Sequence, residues 1–109
     1  MRVEVRRTLR EQEYKEIADS INQLVNRQAV TPKKLMSIVR EAKHIRKTQG
    51  TSGLLRFATA LPYQFFTAKE LEHIQSTPQY RELSNRLIDL LVAEGVISAF
   101  EAMFLRRQV

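Results

Sequence analysis

Basic residues recur at helical spacing between positions 33 and 47, and they are the residues of this chain best suited to contacting phosphate groups. At about 100° per residue, most of them fall on one side of a helix, with apolar residues opposite. Lysine presents a point charge to a phosphate, whereas arginine can bond it bidentately. We therefore expect a nucleic-acid interface, with duplex DNA favoured over RNA. Its candidate residues are Lys33, Lys34, Ser37, Arg40, Lys43, His44 and Lys47.

The excess positive charge of the chain is concentrated in the same region. The whole sequence has 18 Lys and Arg against 12 Asp and Glu, a net charge of +6. The segment from Arg27 to Arg56 has eight basic residues and one acid, Glu41, a net charge of +7, while the rest of the chain has ten basic and eleven acidic residues, or −1. Such a concentration is typical of a surface that binds a polyanion. The alternative is a solvated helix face whose countercharges come from another helix.

The first two predicted helices can also be aligned with a helix-turn-helix pattern, in which the second helix inserts its N-terminal residues into the major groove. The cap and apolar positions agree with this pattern at Val30, Thr31, Leu35 and Ile38. The turn departs from it, since Gln28 replaces an apolar residue and Ala29 replaces the usual glycine. In such a unit the bases would be faced by Lys33, Ser37 and Arg40, and the backbone by Lys43, His44 and Lys47.

Other kinds of functional site find little support in the composition. The chain has no cysteine, which excludes disulfides, thiolate metal sites and cysteine nucleophiles. The two histidines, His44 and His73, lack the spacing of a zinc-binding helix. Gly50 and Gly53 lack the lysine of a phosphate-binding loop. We therefore expect no enzyme, no bound metal and no cofactor.

A second functional hypothesis is a non-catalytic protein-interaction module, such as an adaptor, an assembly or secretion chaperone, or a regulatory subunit. Three aromatic residues, Tyr63, Phe65 and Phe66, follow one another closely at a predicted helix end. They are either core residues, which we favour because the chain has few large apolar residues, or an exposed patch that binds a partner. The terminal helix could also carry such a patch. This hypothesis predicts a homodimer or a complex with an acidic protein.

Helix caps recur along the chain and predict its architecture. Serine or threonine followed three residues later by glutamate forms a capping box, which predicts helix starts at Thr8, Thr67 and Ser98. Thr31 and Thr77 each precede a proline, which is favoured at the first helical position. With the apolar spacing, these caps predict helices over about 9–26, 32–48, 54–61 and 67–75, a fifth from 78 that Gly95 ends, and a terminal one from 98. The most loop-like stretch is residues 49–53.

We expect a single all-α domain over residues 1–109, a compact bundle of five to six short helices. Residues 2–8 could add one short N-terminal strand, because Val3 and Val5 alternate with charged residues. A strand followed by two helices would resemble a ribbon-helix-helix repressor, although the first helix is long for that module. No apolar run approaches the roughly 18–20 residues of a membrane span. Together with the lack of cysteine, this favours a cytoplasmic protein that does not bind a membrane.

Overall fold

The computed structural model describes the backbone of residues 2–108 and the side chains of residues 10–107. Over that range every regular element is an α-helix, which confirms the predicted all-α fold. In chain order the helices are α1 (Arg2–Val25), α2 (Pro32–Ala60), α3 (Pro62–Phe65), α4 (Ala68–Ile74), α5 (Pro78–Ala93) and α6 (Ala99–Gln108). None of these helices has the length and apolar character needed to cross a membrane.

Four of the five predicted caps lie where the sequence places them. Thr31 and Thr77 accept hydrogen bonds from the backbone N–H groups of residues 34 and 80, at 3.1 and 3.2 Å, and a proline follows each. Thr67 and Glu70 form a complete capping box, with hydrogen bonds of 3.1 and 2.8 Å. Ser98 begins a second box with the same two distances. Each cap satisfies an N–H group that the first helical turn leaves unpaired.

The expectation for the N-terminus is wrong. Helix α1 begins at Arg2, so residues 2–8 are helical rather than a strand, and Thr8 lies inside a helix instead of capping one. A lone strand would leave its backbone N–H and C=O groups without partners, whereas a helix pairs them within the segment. Because residues 2–8 are helical, the likeness to a ribbon-helix-helix repressor is lost as well.

The predicted loop at residues 49–53 is reduced to a kink at Gly50, where two helical segments meet, and α2 spans the rest of the stretch. Gly50 alone leaves the helical conformation, at φ 70° and ψ −160°, a region nearly restricted to glycine. Gly53 is buried, and a Cβ atom there would clash with the side chain of Gln49. The two glycines therefore let the basic half of α2, before Gly50, join directly to its more apolar half, after Gly50. The helix predicted at 54–61 is part of this second half.

Helix α1 lies at the centre of the packing. It contacts both α2 and α5, and α5 in turn packs against α6. Among its described side chains, from residue 10 onward, α1 buries Tyr14, Ile17, Ala18 and Ile21. After α5, Gly95 adopts the left-handed conformation predicted for it (φ 74°), and Val96 and Ile97 then enter the core. This core fixes one side of α2 against α1 and leaves the opposite side in solvent.

Candidate nucleic-acid interface

The connection between α1 and α2 determines where the candidate interface begins. Asn26 follows α1 in the left-handed conformation (φ 51°), and the side chain of Asn22 holds the residues after it. Its Oδ1 accepts hydrogen bonds from the backbone N–H groups of Ala29 and Val30 at 2.7 and 3.0 Å, and its Nδ2 donates to the carbonyl of Val30 at 3.0 Å. The sequence analysis did not identify Asn22 as a residue that holds this connection. The one sign of such a role is a polar amide next to the buried Ile21 in the last turns of α1.

The apolar side of α2 anchors its basic half to the bundle. Four of the five residues predicted for this side are buried, namely Leu35, Ile38, Val39 and Ala42, and the fifth, Ile45, is half-buried. Val30 and Leu35, which have the spacing of a hydrophobic staple on either side of the Thr31 cap, are 4% and 1% exposed. Because this side of the helix is fixed in the core, the opposite side faces solvent.

All seven residues predicted for the interface are exposed and lie on this first half of α2. They form the basic face of α2, which consists of Lys33, Lys34, Ser37, Arg40, Lys43, His44 and Lys47. From its first to its last residue the basic face extends about 21 Å along the helix, at 1.5 Å per residue. The structure thus brings every predicted residue together on one rigid element.

Two basic residues of the +7 segment are paired with acids from other helices. Arg27 donates to both carboxylate oxygens of Glu70, at 2.7 and 2.9 Å. Arg46 donates to Glu101 at 2.7 Å and to a backbone carbonyl, that of Val96, at 2.9 Å. The sequence places Arg46 near the apolar side of its helix, where an acidic partner or a snorkelling side chain is expected, and an acidic partner is what it has. These contacts tie α4 to the α1–α2 connection and α6 to the middle of α2.

The other six basic residues of that segment make no ion pair within the side chains at 10–107. Five of the six belong to the basic face, and the sixth is Arg56 in the second half of α2. Glu41, the single acid of the segment, is exposed beside them and is not in an ion pair either. Among the side chains at 10–107, acids from α4 and α6 therefore neutralise Arg27 and Arg46, and none pairs with a residue of the basic face.

A shallow groove borders the basic face on the side of α1. Its charged lining residues are Arg10, Glu11, Arg40, Lys43 and Glu94. The carboxylate of Glu94 already accepts hydrogen bonds from the guanidinium of Arg10 and the hydroxyl of Tyr14. Burial, together with this carboxylate, raises the pKa of Tyr14 above its usual range, so its hydroxyl remains a donor. The groove thus contributes one neutralised acid and one exposed acid, Glu11, to the edge of the basic face.

The α1–α2 connection is longer than that of a helix-turn-helix unit. Helix α1 ends at Val25 and α2 begins at Pro32, so six residues separate the helices, against the three or four typical of that motif. Val30, Leu35 and Ile38 are buried, as the motif requires, but packing in any small helical bundle would bury them too. An interface is therefore supported by the basic face of α2 and not by the motif.

The three aromatic residues considered as a partner site do not form one exposed patch. Phe65 and Phe66 are 3% and 4% exposed, and the ring of Phe66 lies 6.3 Å from that of Tyr80 in the core. Tyr63, by contrast, is 66% exposed. The core interpretation is confirmed for the two phenylalanines, which are buried.

Two carboxyl groups that hold helices around α2 have lowered pKa values. The hydrogen bonds from Arg27 and from the backbone N–H of Thr67 lower the pKa of Glu70 from 4.5 to about 2. The backbone N–H of Ser98 lowers the pKa of Glu101, and the guanidinium of Arg46 adds to the effect. Both carboxylates are therefore ionised at neutral pH, and the ion pairs that orient α4 and α6 are present there.

Comparison of the chain with protein-family models, with curated proteins and with solved structures finds no match. Function therefore has to be argued from the site, because a fold class alone does not determine function. The site offers a row of exposed cations on one rigid helix, anchored to the core along its opposite side.

Proposed function

We propose that this protein is a small, non-enzymatic cytoplasmic regulator that binds duplex DNA through the basic face of α2. The observation that carries the proposal is the lack of countercharges, since the five Lys and Arg residues of the basic face form no ion pair with any side chain that the structure describes. Exposed cations at fixed positions can displace the counterions of a phosphate backbone, and the release of those counterions drives binding.

The shape of the basic face favours duplex DNA over other nucleic acids. It is one exposed side of a single helix, and the major groove of B-DNA, about 12 Å wide, admits a helix. The major groove of duplex RNA is too deep and narrow for side chains to enter. Single strands are bound largely by stacking of bases on aromatic rings, and the basic face includes no aromatic side chain of Phe, Tyr or Trp.

The composition of the basic face favours phosphates over bases as the groups it contacts. Four of its five charged residues are lysines, which act as point charges rather than as bidentate donors. Arg40, near the middle of the face, is the residue best suited to the edge of a guanine. We therefore expect most of the affinity to come from the DNA backbone, with a modest preference for sequence.

Fluorescence anisotropy with labelled duplex and single-stranded oligonucleotides of random sequence tests the proposal. At about 50 mM salt we expect micromolar binding to the duplex and weaker binding to the single strand. The double variant Arg40→Ala/Lys47→Ala removes two exposed cations from the basic face. It should weaken duplex binding by about tenfold or more, because two fewer counterions are released.

The double variant Lys69→Ala/Arg81→Ala is the matched control. It also removes one lysine and one arginine that are exposed and outside every ion pair among the described side chains, but these lie on α4 and α5. We expect this control to bind the duplex nearly as well as the natural sequence. Equal weakening by the two double variants would show that net charge alone matters, and would contradict a role for the basic face.

A second candidate function uses the same basic face to bind an acidic protein, as an adaptor, an assembly or secretion chaperone, or a regulatory subunit would. The unpaired cations favour it for the same electrostatic reason. Poly-glutamate serves as the probe. Binding to poly-glutamate that Arg40→Ala/Lys47→Ala abolishes, without duplex binding at low salt, would favour this function over the first.

A further inference from the structure

The outward side of α6 carries the largest group of exposed apolar side chains in the part of the chain that the structure describes. Phe100, Met103 and Phe104 are 67%, 56% and 49% exposed, and we call them the α6 ridge. The rings of Phe100 and Phe104 meet edge to face, with centroids 5.1 Å apart. Their spacing places all three on one side of the helix, whose other side is anchored by the buried Ala102 and Leu105. Contiguous exposed apolar side chains of this size typically mark an interaction site.

An apolar groove opens elsewhere on the surface and reaches α6 at Leu105. It lies between the end of α2, α3 and α5, and Leu105, the residue after Phe104, forms part of its wall. The residues that line the groove and are at least partly exposed include Ala58, Thr59, Tyr63, Ser84 and Leu87. Tyr63, which is 66% exposed, stands at its edge. Its lining, as far as the structure describes it, contains no Asp, Glu, Lys or Arg.

The size of the groove suits protein side chains better than a small-molecule ligand. Its volume of about 250 Å³ is below the roughly 300–1,000 Å³ of pockets that enclose a drug-sized ligand. An apolar ridge and an apolar groove on the same chain also provide the two halves of a two-fold symmetric contact, because each copy must present both. We propose that the partner is a second copy of this chain, with the α6 ridge of each copy seated in the groove of the other.

Charge supports a second copy over an acidic partner at this surface. Each chain has a net charge of +6, so two copies repel one another wherever their basic faces approach. The ridge and the groove are uncharged, and they share no residue with the basic face. An acidic partner would be recognised by cations; of the two on α6, Arg106 is already paired with Asp89, and Arg107 lies one turn beyond Phe104. The surface therefore lets two copies meet while both basic faces stay in solvent.

The exposed area is sufficient for a weak dimer. A fully exposed aromatic side chain presents about 150–250 Å², so the α6 ridge together with Tyr63 exposes roughly 500 Å² per copy. Two copies would then bury about 1,000 Å², which is the lower bound for a biological interface. We expect a reversible dimer that dissociates on dilution. The proposal is independent of DNA binding, because it concerns a different surface and is tested without nucleic acid.

Sedimentation velocity over a micromolar to near-millimolar concentration range tests the proposal. The natural sequence should shift from the mass of one chain to that of two as concentration rises. Phe100→Ser/Phe104→Ser should raise the dissociation constant at least tenfold, and Thr59→Glu, which places a charge in the groove, should do the same. The matched control Gln12→Ser/Gln23→Ser changes two exposed residues of α1 that do not line the groove, and it should leave the dimer intact.

Circular dichroism verifies that each variant keeps its helices. A chain that remains monomeric at every concentration would overturn the proposal. So would a dimer that the control weakens as much as the ridge variant does. A dimer that the ridge variant breaks and Thr59→Glu leaves unchanged would show that two ridges pack on each other, and would overturn the seating of the ridge in the groove.

Discussion

Replacing Asn22 with alanine should destabilise the protein by about 2–3 kcal/mol. The side chain makes three hydrogen bonds to the backbone of Ala29 and Val30, at 2.7, 3.0 and 3.0 Å, in a partly buried position. A typical hydrogen bond contributes about 1 kcal/mol net, and the N–H group of Val30 would lose its partner, whereas that of Ala29 also donates to the carbonyl of Arg27. For a domain of this size each kcal/mol lowers the melting temperature by about 4–8 °C, so Asn22→Ala should lower it by roughly 10–20 °C.

Thermal and urea unfolding followed by circular dichroism measures this loss. Asn22→Asp keeps an oxygen that accepts from both N–H groups but loses the amide donor, so we expect about half the effect of alanine. Gln23→Ala, at the exposed neighbouring position, should change the free energy of unfolding by less than about 0.5 kcal/mol. A loss below about 0.5 kcal/mol for Asn22→Ala would refute the conclusion that this amide holds the start of α2.

Two further predictions concern the elements around α2. The free energy of unfolding should decrease as pH falls from about 4.5 to 2, because native Glu70 keeps a pKa of about 2 while the unfolded chain takes up its proton near 4.5. Urea unfolding across this range should show a smaller decrease for Glu70→Gln, and an equal decrease would contradict the contribution of its pair with Arg27. Gly50→Ala should cost about 1–3 kcal/mol because of the conformation at that residue, whereas Ser52→Ala should cost little; equal stability of the two variants would contradict a fixed kink.

Much of the fold is predictable because its signals are local. The caps at Thr31, Thr67, Thr77 and Ser98 each involve residues three positions apart, so the sequence alone locates them. The apolar side and the basic face of α2 are also predictable from the sequence, because helical spacing alone separates them. The prediction for residues 2–8 failed because alternation over so few residues cannot decide between a strand and the start of a long helix.

Other features depend on contacts between distant segments. The pairing of Arg46 with Glu101 joins residues 55 positions apart, so which cations are neutralised is decided only when the helices pack. The burial of the aromatic residues is likewise not predictable from residue type. Phe65 and Phe104 have the same side chain, yet Phe65 is 3% exposed and Phe104 is 49% exposed. Composition and spacing predict the basic face, but not that its charges form no ion pair among the side chains at 10–107, nor that α6 presents the exposed rings.

The salt dependence of duplex binding by the natural sequence tests the central claim most directly. If the five cations of the basic face each displace about one counterion, the logarithm of the association constant should fall with the logarithm of salt concentration with a slope near −4.5. Binding should then weaken by about 500-fold between about 50 and 200 mM salt. A slope near zero, or no duplex binding at the lower salt concentration, would contradict the claim that the basic face of α2 binds DNA.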